Sequence, residues 1–444
     1  MNKILFIGLI AVSLLSTATL ASARFTISPS IAVKGIYDDN LFLSPTDEED
    51  DFITTISPKV VLDYKTGKSL DINLDYGFDF KFYSDNSDFN ETSIKETQRA
   101  KLVAQVRPVN RVFVDIFDIY QKTPVDIKRG FVEESSVTNM TVSNVFTLSP
   151  RLELPITPSL DSTFGYRFTN AWYDADEGNK SDGHTFYATL TKRLPSRFSL
   201  SLNYDYLIYR PDLTPKYDKQ HVAVRIDYQM KSNLKFWGEI GKDYVDFKNA
   251  GKDNTEVWGV GSEYISDFME GLKLTVTYSK SLSESLISVT ESIDADEIRY
   301  YDINTLQFTR ISDRGSITSG LSELKKLNII LEAGTKLLLA VNPYYSIRDE
   351  ITTSREDKVT GVEINITYPL ATRSIISLNG LLEKEEFEPD NENVDRYGLG
   401  GEFSYNVNRY LTANLGYKYF ERDSNLDADD FTNNLIWLQA ILTF

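Results

Sequence analysis

The 444-residue chain has no cysteine, which rules out disulfides, thiolate metal sites and thiol nucleophiles together. Histidine is nearly missing too: only His184 and His221 are available as general bases. No G-x-S-x-G elbow accompanies them, so they are read as ordinary residues near the outer ends of their strands, and no catalytic residue is assigned. Positive charge is in deficit, 47 Lys+Arg against 65 Asp+Glu, and a net charge of -18 repels phosphate backbones, excluding nucleic acid as a partner. After residue 23 no run approaches the roughly 18 apolar residues of a spanning helix, and the mean hydropathy of -0.29 is too polar for a helical membrane bundle. What the chain does have is aromatic: 26 Tyr and 25 Phe within a 41% hydrophobic composition, too much for a disordered chain.

The first residues read as an address. A basic start at Lys3, a mostly apolar stretch from Ile4 to Leu20 and the small-residue site Ala21-Ser22-Ala23 predict a signal peptide over 1–23, leaving 24–444 as the mature protein.

From Leu70 the chain alternates. Leu70, Ile72, Leu74, Tyr76, Phe78, Phe80 and Phe82 share one face, with Asp71, Asn73, Asp75, Gly77, Asp79 and Lys81 on the other. A period of two over that length means a long strand with one apolar and one polar face. The pattern recurs from Phe198 to Ile208, Val222 to Tyr228, Val362 to Tyr368, Tyr397 to Tyr405 and Leu411 to Tyr419. Tight connections such as Pro108-Val-Asn-Arg111, Leu194-Pro-Ser-Arg197 and Asn406-Val-Asn-Arg409 carry turn residues. Others are long and acidic or polar: Asp38 to Asp51, Ser84 to Ser93, Lys122 to Asn139, Asp174 to Asp182, Glu385 to Asp395 and Glu421 to Asp430.

These runs of roughly ten to fourteen residues exceed soluble strands and suit a tilted crossing of a bilayer. The fold class predicted is therefore all-β: a transmembrane antiparallel up-and-down β-barrel of about 20 strands, with 18 and 22 as alternatives, short periplasmic turns and long acidic extracellular loops. Glu284 to Thr335 is the least regular stretch, where Tyr300 to Arg310 and Ser316 to Lys326 each look like a strand. The first strand is expected near Ser30. At the other end Leu438, Leu442 and Phe444 share a face of a final strand that stops at the aromatic, which looks like the outer-membrane targeting signal read by the bacterial insertion machinery.

The sequence resembles the outer-membrane β-barrel proteins of the porin-2 type, often associated with exopolysaccharide or exosortase gene clusters. The resemblance rests on Ile36-Tyr-Asp-Asp-Asn40-Leu-Phe-Leu43, on Asp51-Phe-Ile-Thr-Thr-Ile-Ser-Pro58 with the strand that follows, and on Arg422-Asp-Ser-Asn425 and Asn433-Asn434 before the last strand. It spans most of the mature chain and carries no catalytic motif. It implies a barrel and a role in moving or anchoring extracellular polysaccharide.

Strand parity places Asp71, Asp75, Asp79, Lys81, Arg99, Lys101, Arg167, Asp205, Arg225, Asp227, Glu239, Glu363, Arg396, Glu402 and Lys418 on the polar side, as candidates to line a lumen. For each residue singly, an ion pair between neighbouring strands is the simpler role. Two long loops are candidates to fold inward, Asp38 to Asp51 and Glu284 to Glu297, although solvated acidic loops are the plain reading of both. The acids Asp47 to Asp51, Asp427, Asp429 and Asp430 form no Asp-x-Asp-x-Asp-Gly loop, so no metal or cofactor is assigned; weak divalent binding shared with lipopolysaccharide is the alternative. The function expected is a porin-like pore in the bacterial outer membrane, or a conduit for extracellular polysaccharide. The alternative is a non-conducting scaffold or adhesive barrel that works through its loops. Expected partners are outer-membrane lipid and lipopolysaccharide, the insertion machinery, and polysaccharide or export components.

Overall fold

The computed structural model describes residues 23–444 except 67–68, 126–136, 138, 177, 249–250, 267–270, 285–320, 335–336, 352–354 and 427–429. Its strands are β1 (Ala23–Asp38), β2 (Asp51–Thr66), β3 (Leu70–Phe78), β4 (Phe80–Tyr83), β5 (Gln98–Val109), β6 (Val112–Pro124) and β7 (Met140–Thr157). They continue as β8 (Leu160–Tyr173), β9 (Ser181–Leu194), β10 (Phe198–Pro211), β11 (Tyr217–Lys231), β12 (Leu234–Phe247), β13 (Gly251–Ile265) and β14 (Lys273–Glu284). The last seven are β15 (Leu321–Ala333), β16 (Leu338–Glu350), β17 (Glu356–Ala371), β18 (Ser374–Glu388), β19 (Glu392–Asn406), β20 (Leu411–Ser424) and β21 (Phe431–Thr443). β3 and β4 are two halves of one strand parted at Asp79, and both pair with β2. All neighbours are antiparallel, and β1 pairs with β21 from Ser30↔Thr443 to Asp38↔Leu435. The sheet thus closes into a barrel of 20 strands, the number expected.

Closure follows from the alternation. Each strand presents one apolar side outward, and Ile240 (70% exposed), Leu438 (64%), Leu399, Leu415, Phe164 and Phe25 all lie on that outer face. So many large exposed hydrophobics would be costly in water and are what a lipid-facing belt requires. Strands of 12 to 18 residues are longer than the roughly 9–11 a bilayer crossing needs. The surplus carries polar outward residues at the end bearing the long loops, among them Asn170, whose amide donates to Asp182 at 2.7 Å.

Several expectations need correcting. The chain between Glu385 and Asp395 is not a long loop: β18 runs to Glu388 and β19 starts at Glu392, because Glu385 and Phe387 pack inward as strand residues. The first strand starts at Ala23 rather than near Ser30, since β1 keeps its register with β2 from Ala23↔Thr66. Residues 316–326 are strand only from Leu321, within the described residues. Tyr300 to Arg310, the inward-loop candidate after Glu284, and residues 1–22 of the expected signal peptide lie outside them.

Aromatic rings lie flat on the inner wall where the neighbouring strand has no side chain. A Cβ at Gly416 would stand 2.0 Å from the Trp437 indole, and one at Gly261 2.3 Å from that of Trp237. The close approach requires glycine, and it replaces a side-chain contact with a ring on the wall. Gly416→Val is expected to displace Trp437 and cost about 1–3 kcal/mol, read as a lower urea midpoint for unfolding of the lipid-reconstituted barrel. Gly380→Ala, where the nearest atom is 3.8 Å away, is expected to leave the midpoint unchanged.

Candidate functional site

With one face of each strand in the apolar belt, the other faces the barrel interior, and all fifteen lumen candidates have that inward parity. Paired registers show it: Asp71↔Gln105, Asp75↔Lys101 and Gly77↔Arg99 on β3 and β5; Arg225↔Glu239 on β11 and β12; Gly400↔Lys418 and Glu402↔Gly416 on β19 and β20. Lys81 and Glu363 are buried there, and Arg167 lies over the Tyr187 ring at 5.5 Å.

The charges are paired along the wall. Lys59 meets Asp75 at 2.7 Å, Arg99 meets Asp79 at 3.2 Å, and Ser57 donates to Asp79 at 2.6 Å. Arg225 binds Asp227 at 3.1 Å and caps the Trp237 ring at 4.5 Å. Glu402 accepts the Trp437 indole N–H at 3.2 Å. The structure therefore brings the candidates together in small groups, between neighbouring strands or, for Arg225 and Asp227, along β11, rather than as one cluster. His221 points inward and is bonded through Nδ1 to Asp243 at 2.6 Å, next to Asp205 in register. His184 is on the outer face, bonded to the Tyr166 hydroxyl at 2.7 Å.

The tightest group lies on β18–β20 and was only partly foreseen. Arg396 sits 3.1 Å from Glu385 and 3.6 Å from Glu383, and Arg422 donates to Glu392 at 2.6 Å. Tyr344 donates to Glu383 at 2.5 Å. Arg396 is 2% exposed and Glu385 0%. Glu385 and Glu392 escaped the sequence reading because their segment looked like a loop, and Glu383 stands just before it; the alternation Leu381, Glu383, Glu385, Phe387 was the available signal.

At the long-loop end apolar clusters also line the inner face. Ile36, Ile53, Tyr83, Leu435 and Trp437 form one cluster, Tyr344, Val359, Leu381, Phe420 and Phe431 a second, and Leu207, Tyr209, Tyr217, Val245 and Phe247 a third. The segment between β1 and β2 folds onto the first two. Leu41 is fully buried in the first cluster, and Leu43 packs against both. The plain reading of Asp38 to Asp51 as a solvated loop is thereby corrected: its apolar half is docked inside, while Asp47 to Asp50 stay exposed. Leu43 has φ 52, the left-handed region that a branched side chain avoids. Such strain costs of order 1–3 kcal/mol and persists only where surrounding contacts enforce it.

Outside the spanning strands, Lys95 donates to Asp174 at 2.5 Å, and that hydrogen bond holds its ammonium above the usual lysine pKa. The pair links the segment after β4 to the one after β8.

No protein-family model and no curated protein matches this sequence. Solved structures do. The FrpB iron transporter from Neisseria meningitidis is 8% identical, with 94% of this chain and 82% of that one aligned at a TM-score of 0.51. The siderophore receptor PirA from Pseudomonas aeruginosa is 9% identical over 94% of this chain and 80% of that one, with a TM-score of 0.47. At such identities the likeness is one of fold. The chain has the fold of an outer-membrane β-barrel.

Breaking a buried ion pair leaves a charge stranded. Arg396→Ala is expected to lower the barrel's unfolding free energy by about 3–5 kcal/mol. Arg193→Ala, which removes an exposed partner of Asp161, is expected to cost about 1 kcal/mol or less. Urea titration of both variants beside the wild type checks the contrast.

Proposed function

We propose that the chain is a porin-like conduit of the bacterial outer membrane that passes small hydrophilic solutes along its charged inner wall. The observation that carries this reading is the inward series of ion pairs between neighbouring strands inside a 20-strand ring. Barrels of 16 to 18 strands already enclose an aqueous channel. Charge rings on such a wall tune selectivity. The inner pairs combine both signs, whereas Asp47 to Asp50 form an exposed acidic group at the long-loop mouth, so selectivity for cations is assigned to the mouth. The signal peptide over 1–23 and the outward Phe444 belong to this reading as export and insertion signals. Lipid, lipopolysaccharide and the insertion machinery are its partners.

Extracellular polysaccharide as cargo rests on the sequence resemblance alone and is the substrate class to try after ions. A scaffold acting through its loops is the second reading, favoured by the apolar packing at the long-loop end of the interior. The reading includes no enzymatic role.

Single-channel recording of the refolded protein under a salt gradient is the test. Cation-selective current steps are expected, with selectivity reduced when Asp47, Glu48, Glu49 and Asp50 are changed together to Asn or Gln. A barrel that is folded by its electrophoretic mobility and silent at every voltage would favour the scaffold.

A further inference from the structure

Two segments far apart in the sequence, the entry run Asp38-Asp39-Asn40 and the pair Asn433-Asn434, meet at the barrel seam. Asn433 Nδ2 donates to Asp38 Oδ1 at 2.5 Å and to the Asn40 carbonyl at 3.2 Å. Asn434 donates to Asp39 through its backbone N–H at 2.6 Å and its amide at 2.7 Å. Asn40 Nδ2 reaches the Thr432 carbonyl at 2.9 Å. The same Asn40 amide brackets the tip of the loop, accepting from the Ser44 N–H and donating to the Ser44 carbonyl, each at 2.8 Å. Between those brackets lie the docked Leu41 and the strained Leu43.

We propose that residues 39–50 are a latched gate. The latch is the asparagine–aspartate cluster on the terminal strand, the bolt is Leu41 and Leu43 seated in the apolar inner wall, and the left-handed backbone at Leu43 is the spring. Three observations agree on this. Apolar seating covers the inner wall of β1–β2 and β16–β21, because Leu43 joins clusters from both sets of strands. Strain at a docked, non-glycine tip is released on undocking, which brings the two states close in free energy. The adjoining run Asp47 to Asp50 carries four exposed like charges in sequence, which favour an extended, solvated segment over a seated one. At the hinge on the other side, Asp51 is held by the N–H groups of Ser84, Asp85 and Asn86, so the loop pivots on fixed ends.

This inference rests on the pore reading, and the test separates the two. The chain has no cysteine, so Asn40→Cys with Asn433→Cys places the only two thiols across the latch, two register steps beyond Asp38↔Leu435. Oxidised, the variant keeps the loop seated; reduced, it has lost both asparagines. Single-channel recording is expected to show openings at least ten-fold rarer in the oxidised form, restored and more frequent than wild type after reductant. Leu43→Asn, which accepts the left-handed backbone and removes the bolt, is expected to raise open probability in its own right. Deleting 41–49 gives the control, with folding of each variant checked by electrophoretic mobility. If the deletion conducts while the cysteine variant ignores reductant, the gate is overturned and the pore stands. If the deletion is silent, the pore reading falls and the gate with it.

Discussion

Hydrocarbon offers no partner to a backbone N–H or carbonyl, and the rest of this structure depends on that constraint. A sheet can meet it only by closing, so the pairing of β1 with β21 is the condition for the other nineteen strand contacts to exist in lipid at all. Once the sheet is closed, the two faces of each strand part company. The side that reaches lipid has to be apolar, which leaves the charged residues a single place to go. Their mutual pairing is then a matter of neighbourhood: strands stand side by side, and opposite charges on adjacent strands lie within reach.

Most of the architecture was legible because period two is a local signal. The face shared by Leu70, Ile72 and Leu74, the turn at Asn110 and Arg111, and the inward parity of Asp75 or Arg225 need only a few residues of context. Two things were not legible. The strand extensions at Glu385 to Glu388 and Glu392 to Asp395 looked like an acidic loop, because charged residues on both faces hide alternation where strands rise beyond the apolar belt. The seating of Leu41 and Leu43 was hidden for another reason: the residues that receive them come from strands at both ends of the chain, and no window of sequence contains both.

The interior is therefore not uniform. Near the short turns it is a wall of paired charges and flat aromatic rings; near the long loops apolar clusters and the chain's own first loop share it with the buried Arg396–Glu385 and Arg422–Glu392 pairs. A reading from parity alone, polar inside and apolar outside, holds for the first region and misses the apolar half of the second. Arg396 and Arg422 lie toward the long-loop ends of β19 and β20, buried among glutamates with aromatic side chains beside them.

Asp38 and Asn433 are 395 positions apart, and that separation has a kinetic meaning. The seat for the first loop includes Leu435 and Trp437 of the last strand, so the earliest loop in the chain is among the last pieces to find its place. A barrel still waiting for its final strand lacks the Leu435 and Trp437 side of the seat and leaves Leu41 only partly covered. Docking of that loop thus reports completed assembly: a molecule left unzipped at the seam is marked by a sticky, partly covered leucine pair, a feature that a quality-control factor or a protease can read.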